Sequence, residues 1–343
     1  MLNQESEDQK FLSVLDSVIQ LRTRIEASVI GQPTLVNRLL IALLVDGHLL
    51  VEGAPGLAKT RAVKALADCI EAQFQRIQFT PDLLPADLTG TEVYRPADGS
   101  FVFQQGPLFN NLILADEVNR APAKVQSALL EAMAEQQISV GHQTYQLPAP
   151  FMVMATQNPI EQEGTYPLPE AQLDRFLMQV VIDYPDAEHE AEILRLVRDE
   201  ALRESRNRDQ SSGQVSATSN NADRFGLQQL FAARREVLEV YMSEDIEDYL
   251  VRLISASRSP TSLDPELARW LQYGASPRGT LCLDACSRAH AWLDGRDYVS
   301  PADVQSIVHD VLRHRLLLSF EAEADGISSD DVIDRLLSLI AVP

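Results

Sequence analysis

Three short stretches of this 343-residue chain carry residue types suited to phosphate and metal chemistry. The first is Gly53-Ala54-Pro55-Gly56-Leu57-Ala58-Lys59-Thr60, between the short apolar run 48–51 and a segment with apolar residues at Ala62, Val63, Leu66, Ala67 and Ile70. A strand, a glycine-bearing turn and a helix start make a cradle for a polyphosphate. Glycine lets backbone N–H groups approach the anion, and the helix start adds unpaired amides and the positive end of its dipole. In the pattern G-x-x-x-x-G-K-[ST], Lys59 reaches the β- and γ-phosphates and the Thr60 hydroxyl ligates Mg²⁺. Ala58 stands where that pattern has its second glycine, which predicts a helical backbone with negative φ at that position. A Gly-Pro turn before a surface helix would explain the same letters more simply. Lysine is scarce, however: Lys10, Lys59, Lys64 and Lys124 are the only four among 29 basic residues. A compact ammonium fits beneath a phosphate where the planar fork of arginine does not.

The second stretch, Asn110 to Arg120 (NNLILADEVNR), is an apolar strand that ends abruptly in two adjacent carboxylates. Sites of this kind sit at strand ends. Asp116 would hold the hydrated Mg²⁺ opposite Thr60, and Glu117, pointing elsewhere, would orient or deprotonate the attacking water. Acids also start helices, but a phosphate loop upstream favours the site. The third stretch is the apolar strand 151–155, which runs into Thr156-Gln157-Asn158-Pro159 and so puts a neutral amide at a strand end. Asn158 could contact both water and γ-phosphate, although Asn-Pro is also an ordinary turn starter.

Periodicity supplies the elements that would position these groups. An amphipathic helix over 7–30 and a second to about Asp46 precede the phosphate loop, and residues 74–79 alternate like a strand. Residues 81–90 are too rich in proline for regular structure, and 94–103, split by Asp98-Gly99, read as a hairpin. A helix over 123–135, a hairpin over 136–147, a short helix over 169–174 ending at Arg175 and a strand over 176–182 complete an α/β domain spanning 1–184. From 185 to 343 the pattern is an all-helical second domain, with helices over 188–202, 226–242, 246–257, 265–273, 277–293, 301–318 and 331–340. The polar tract 205–222 reads as an exposed, mobile loop.

Composition narrows the function classes. A net charge of -21 disfavours nonspecific binding to nucleic acid or anionic membranes. The polar, acidic start is no secretory signal, and the longest apolar run, Leu39 to Val45, falls far short of the ~20 residues of a membrane span. Three cysteines argue against a disulfide framework and for a reducing, cytoplasmic setting. Cys282, Cys286 and His290 share a helical face, but small-residue packing explains them better than a metal site, which wants four ligands.

Taken together, GAPGLAKT, LILADEVNR, the Asn158 strand end, EAQLDRF and GASPRG resemble the MoxR family of AAA+ ATPases, and DLLPADLTG and RAPAKVQSALLEAMAE extend the likeness over nearly the whole chain. The resemblance implies a parallel sheet flanked by helices, a helical lid, and a helix-2 β-hairpin insertion at 136–147. It implies that Ile30, Gly31 and Gln32 line the adenine, that Asn158 is the sensor-1 residue, Arg175 the arginine finger and Arg278 the sensor-2 arginine, acting in cis or in trans. ATP and Mg²⁺ are the implied cofactors. A homo-oligomeric ring, often hexameric, with a von Willebrand factor A partner and protein clients is the implied assembly. A ring-forming remodelling ATPase is the first expectation, with a nucleotide-gated binding scaffold and a metal-chelatase motor subunit as alternatives.

Overall fold

A computed structural model describes residues 2–54, 59–141, 143–158, 164–210 and 224–343. It opens with α1 (Leu2–Ser28) and α2 (Pro33–Leu44). Val14, Val18, Leu21 and Ile25 recur every three or four residues and form the buried stripe of α1. Strands and helices then alternate: β1 (Leu49–Gly53), α3 (Lys59–Cys69), β2 (Phe74–Gln78), α4 (Pro85–Thr89), a hairpin of β3 (Gly90–Arg95) and β4 (Ser100–Gln105), β5 (Leu112–Asp116) and α5 (Ala123–Glu135). A second hairpin of β6 (Gln137–Val140) and β7 (Gln143–Gln146) comes next, then β8 (Met152–Gln157), α6 (Glu170–Leu173) and β9 (Met178–Ile182).

Five of these strands form a parallel sheet in the order β2-β5-β8-β1-β9. Helices cover both faces, so β5 and β8 are apolar at nearly every position rather than alternately. Leu49, Val51, Leu112, Leu114, Met152 and Met154 belong to a core with α1, α2, α3 and the C-terminal helices. Their neighbours Leu50, Ile113, Ala115, Val153 and Ala155 belong to a second core with α4 and α5. The register pairs Glu52 with Gln157 and Gln78 with Asp116, so the C-terminal ends of β1, β8, β5 and β2 lie along one edge.

The remainder consists of α7 (Ala187–Gln210), α8 (Leu227–Glu239), α9 (Glu244–Arg258), α10 (Pro265–Trp270), β10 (Leu271–Tyr273), α11 (Pro277–Leu293), α12 (Pro301–Leu312), β11 (Leu317–Leu318), α13 (Phe320–Ala324) and α14 (Ser329–Leu339). Asp264-Pro265 and Ser276-Pro277 write two of the helix starts: the side-chain oxygen caps the first turn, and proline occupies the position that needs no N–H. The buried pair Arg38 Nε–Asp310 Oδ2, at 2.6 Å, ties α2 to α12. Among the described residues no helix is long and apolar enough to cross a membrane.

Several expectations change. The proline-rich segment 81–90 contains α4, because Pro85 takes the first helical position, where a missing N–H does no harm. The C-terminal region is not wholly helical. The expected helices over 265–273 and 301–318 stop at Trp270 and Leu312, and β10 pairs antiparallel with β11, Leu271 opposite Leu318. That ribbon needs the backbone of Gly274 against Ser257, where a Cβ would stand 2.3 Å from the carbonyl oxygen. The expected loop over 205–222 is helical as far as Gln210, and 211–222 lie outside the described residues. The hairpin expected at 136–147 is present as β6–β7, but it comes after α5 in the third crossover. The hairpin beside the helix of the second crossover is β3–β4, so the helix-2 label belongs there.

Two buried histidines make the fold sensitive to acid. His48 is fixed on both ring nitrogens: Nε2 lies 3.1 Å from the Met133 carbonyl, and Nδ1 accepts the Val153 N–H at 3.1 Å. His314 Nε2 lies 3.2 Å from the Phe176 carbonyl, and its Nδ1 has no partner among the described residues. Burial pushes both pKa values below 6.5, and the Arg315 charge adds to the effect at His314. A histidine that binds its proton less readily when folded is harmless above pH 6.5 and destabilises as pH falls below it. Between pH 6.5 and 5.5 the expected loss is at most about 1 kcal/mol per histidine. Thermal unfolding across that window checks this, and a flat melting temperature would reject it.

Candidate nucleotide-binding site

Lys59 opens α3 directly above the end of β1 and is buried. Its Nζ donates to the Gly53 carbonyl at 2.6 Å and to the Gln157 carbonyl at 3.3 Å, so the ammonium bridges the ends of β1 and β8. Asp116 closes β5 with both oxygens engaged. Oδ1 accepts from the Thr156 hydroxyl at 2.7 Å, and Oδ2 accepts from Arg76 through Nη2 at 2.6 Å and Nε at 3.1 Å.

Glu117 comes next in a left-handed conformation, φ 57° and ψ 51°, which an L-residue adopts only where its surroundings fix it. The fixing contact is the Glu117 N–H, which donates to the Thr156 hydroxyl at 2.9 Å. The turn separates the Glu117 carboxylate from that of Asp116. Its Oε2 accepts from Gln78 Nε2 at 2.8 Å and from Arg120 Nη1 at 3.0 Å. Since Arg76 Nη2 also donates to Gln78 Oε1 at 3.0 Å, one hydrogen-bonded chain joins the two carboxylates.

These groups border a cavity of about 970 Å³. Lys59, Thr60, Asp116, Glu117, Asn158, Ile30 and Gln32 all line it, so seven of the residues expected from sequence converge on one space. Its other wall comes from the start and inner face of α7, with Tyr184, Pro185, Ile193, Leu194, Leu196 and Val197. Gly31, with φ +76°, brings the 30–32 segment against that wall: a Cβ there would meet His189 Cβ at 3.1 Å. Gln32 Nε2 donates to the Asp183 carbonyl at 3.0 Å, and Arg61 pairs with Glu200 on α7. Gly53 and Ala54 are buried at the end of β1, whereas Pro55, Gly56, Leu57 and Ala58 lie outside the described residues, and so does the φ expected for Ala58.

Arg175 and Arg278 do not line this cavity. Arg175 is exposed and donates to the Leu130 carbonyl at 2.6 Å. Arg278, also exposed, lies 3.4 Å from Asp174 Oδ2. Asp174, next to Arg175 in the chain, also accepts the Ser276 hydroxyl at 2.9 Å and Arg315 Nε at 2.9 Å. Arg278 therefore joins a junction centred on the Asp174 carboxylate, while Arg175, next to Asp174 in the chain, turns its side chain to Leu130. Arg315 is buried and donates further to the Phe176 and Leu177 carbonyls, which fixes this junction to the segment before β9.

Sequence reasoning missed Arg76, Gln78, Thr156 and the apolar face of α7. Two signals were present: Arg76 and Gln78 sit two apart on a strand, hence on one face, and Ile193, Leu194, Leu196 and Val197 have helical spacing. Elsewhere, Cys282 and Cys286 are buried free thiols pushed up by burial, and His290 turns to Asp303 at 2.7 Å. Burial alone would raise the Asp303 carboxyl, but hydrogen bonds from Arg296, His290 and Ser300 hold it well below the usual carboxylate range.

A five-stranded parallel sheet in this order, with a lysine-headed helix after its first strand and an acid pair at the end of a neighbouring one, is the architecture of a AAA-class nucleotide-binding core. Residues 48–178 match the ATPase family associated with various cellular activities (AAA), and residues 268–336 match the AAA lid domain. The chain is 45% identical over 316 residues to Chaperone MoxR1 of Mycobacterium tuberculosis, covering 92% of this chain and 79% of the relative. It is 41% identical over 314 residues to the uncharacterized protein YeaC of Bacillus subtilis, covering 92% and 91%. A crystal structure of a candidate ATPase from Cytophaga hutchinsonii superposes with a TM-score of 0.87 at 42% identity over 100% of both chains. The chain belongs to the MoxR family of AAA+ ATPases.

Proposed function

We propose that the chain is a Mg²⁺-dependent ATP hydrolase that works as a ring-forming motor, remodelling or maturing client proteins with a von Willebrand factor A partner. One observation carries the catalytic half: Lys59, Thr60, Asp116, Glu117 and Asn158 border a single cavity at the C-terminal edge of a parallel sheet. Its volume suits a nucleotide, with a buried cation on one side and an apolar wall on the other. The Thr60 hydroxyl and the Asp116 carboxylate are hard oxygen donors, which fits Mg²⁺. Held by Thr60 and Asp116, Mg²⁺ would supply positive charge against the charge that develops on the transferring phosphoryl group.

The chain's own residues divide the remaining work. Lys59 anchors the β- and γ-phosphates with backbone amides of 53–60, Glu117 positions the attacking water and accepts its proton, and Asn158 holds water and γ-phosphate in line. Ile30, Gly31 and Gln32 flank the base. Residues 1–184 serve as the nucleotide-binding domain and 185–343 as the lid. Arg175 adjoins Asp174 and Arg278 contacts it, both outside the cavity, which favours their serving the site of an adjacent subunit, as a hexameric ring provides. The relative named as a chaperone supports the remodelling half.

The test is Lys59→Ala. Loss of one charge-assisted contact of about 2–3 kcal/mol weakens ATP binding roughly 30- to 150-fold, read by calorimetry on folded protein. Undiminished affinity would remove the phosphate role.

A further inference from the structure

The metal carboxylate already has a cation beside it. Asp116 is nearly buried, its side chain 13% exposed, whereas the Arg76 side chain that grips Oδ2 is 49% exposed. Arg76 lines the same cavity as Thr60 and Asp116. The Thr156 hydroxyl holds Oδ1. That leaves Oδ2 as the oxygen able to turn toward a metal or its water shell, and both donors of the Arg76 fork sit on it.

A divalent cation and a guanidinium drawn to one carboxylate oxygen repel each other at close range, and the water shell of Mg²⁺ needs the space the fork fills. Arg76 can yield, because a half-exposed side chain on the edge strand β2 is readily hydrated. We propose that Arg76 is a built-in counter-ion of Asp116, occupying Oδ2 until a divalent cation displaces it, so that it sets the metal affinity of the site. This rests on the reading of Asp116 as the metal carboxylate. Arg76 thereby keeps Asp116 neutralised between metal-binding events, at the expense of affinity.

The experiment uses the full chain saturated with ADP and Mn²⁺ as the probe, with free Mn²⁺ read by electron spin resonance. Removing the competing charge in Arg76→Ala tightens Mn²⁺ binding about fivefold, which is about 1 kcal/mol at tenfold per 1.4 kcal/mol. Arg76→Gln, which keeps a polar side chain on the strand without the charge, tightens it similarly and guards against a folding defect in the alanine variant. ADP affinity measured in EDTA stays at the wild-type value. Unchanged or weaker Mn²⁺ binding in both variants overturns the proposal, and so does weaker ADP binding in EDTA, which would make Arg76 a phosphate ligand. Asp116→Asn separates the two layers. If it leaves Mn²⁺ affinity intact, the metal reading itself fails; if it weakens Mn²⁺ while the Arg76 variants match wild type, only the counter-ion assignment falls.

Discussion

Glu117→Gln is expected to bind ATP with undiminished affinity and to hydrolyse it about 10²- to 10⁴-fold more slowly, the range spanned by a positioned general base. The substitution removes the charge and proton affinity while keeping the shape. The Gln78 and Arg120 donors that reach Glu117 Oε2 can still be accepted by an amide oxygen, and the N–H anchor to Thr156 is backbone. The left-handed turn at residue 117 therefore survives, and a loss of turnover reads as chemistry rather than misfolding. Calorimetric ATP affinity and steady-state turnover on the same preparation check it. Turnover near wild type would take the water-handling role away from Glu117. If the proposed remodelling function holds, proteins that co-purify with this variant in ATP identify what the chain acts upon.

How much was legible from sequence depended on how local each interaction is. The phosphate-loop helix start at Lys59, the acid pair 116–117 and the strand end at 158 were readable because each is a few consecutive residues at the junction of a strand and a turn. Ala123–Glu135 and Pro277–Leu293 were readable because strong periodicity is bounded by proline or by a left-handed cap. Pairing across the sheet was not. Arg76 meets Asp116 only because β2 lies beside β5, forty positions on. The β10–β11 ribbon is likewise a partnership between distant segments, and Leu271–Tyr273 alone continues a helical pattern plausibly enough to hide it. Chain topology also moved a label: only the order of strands and helices shows that β3–β4, not β6–β7, accompanies the second crossover helix. Asp174 was invisible for a similar reason, since its partners Ser276, Arg278 and Arg315 come from more than a hundred residues downstream.

That Asp174 junction makes the second large effect testable. Arg175→Ala is expected to lower turnover by about 10³ to 10⁵, the range of an arginine supplied to a transferring phosphoryl group, while each subunit still binds nucleotide. The cavity wall contains neither Arg175 nor Arg278, so loss of activity without loss of binding is what service to a neighbour requires. Complementation tests it: Lys59→Ala subunits bind ATP too weakly to fill their own sites at ATP levels near the wild-type affinity but keep Arg175, and Arg175→Ala subunits have the reverse defect. In randomly mixed rings of head-to-tail contacts, about a quarter of interfaces pair an intact Lys59 with an intact Arg175, and activity returns toward that fraction if sites fire independently. Wild-type activity per subunit should fall on dilution as rings dissociate, with light scattering as the check on size. Constant activity down to a monomeric concentration would reject the shared site. Dead mixtures that co-assemble, alongside dilution-dependent wild type, would instead show that hydrolysis needs every interface intact, because a shared site predicts the dilution dependence while independent firing alone predicts the rescue.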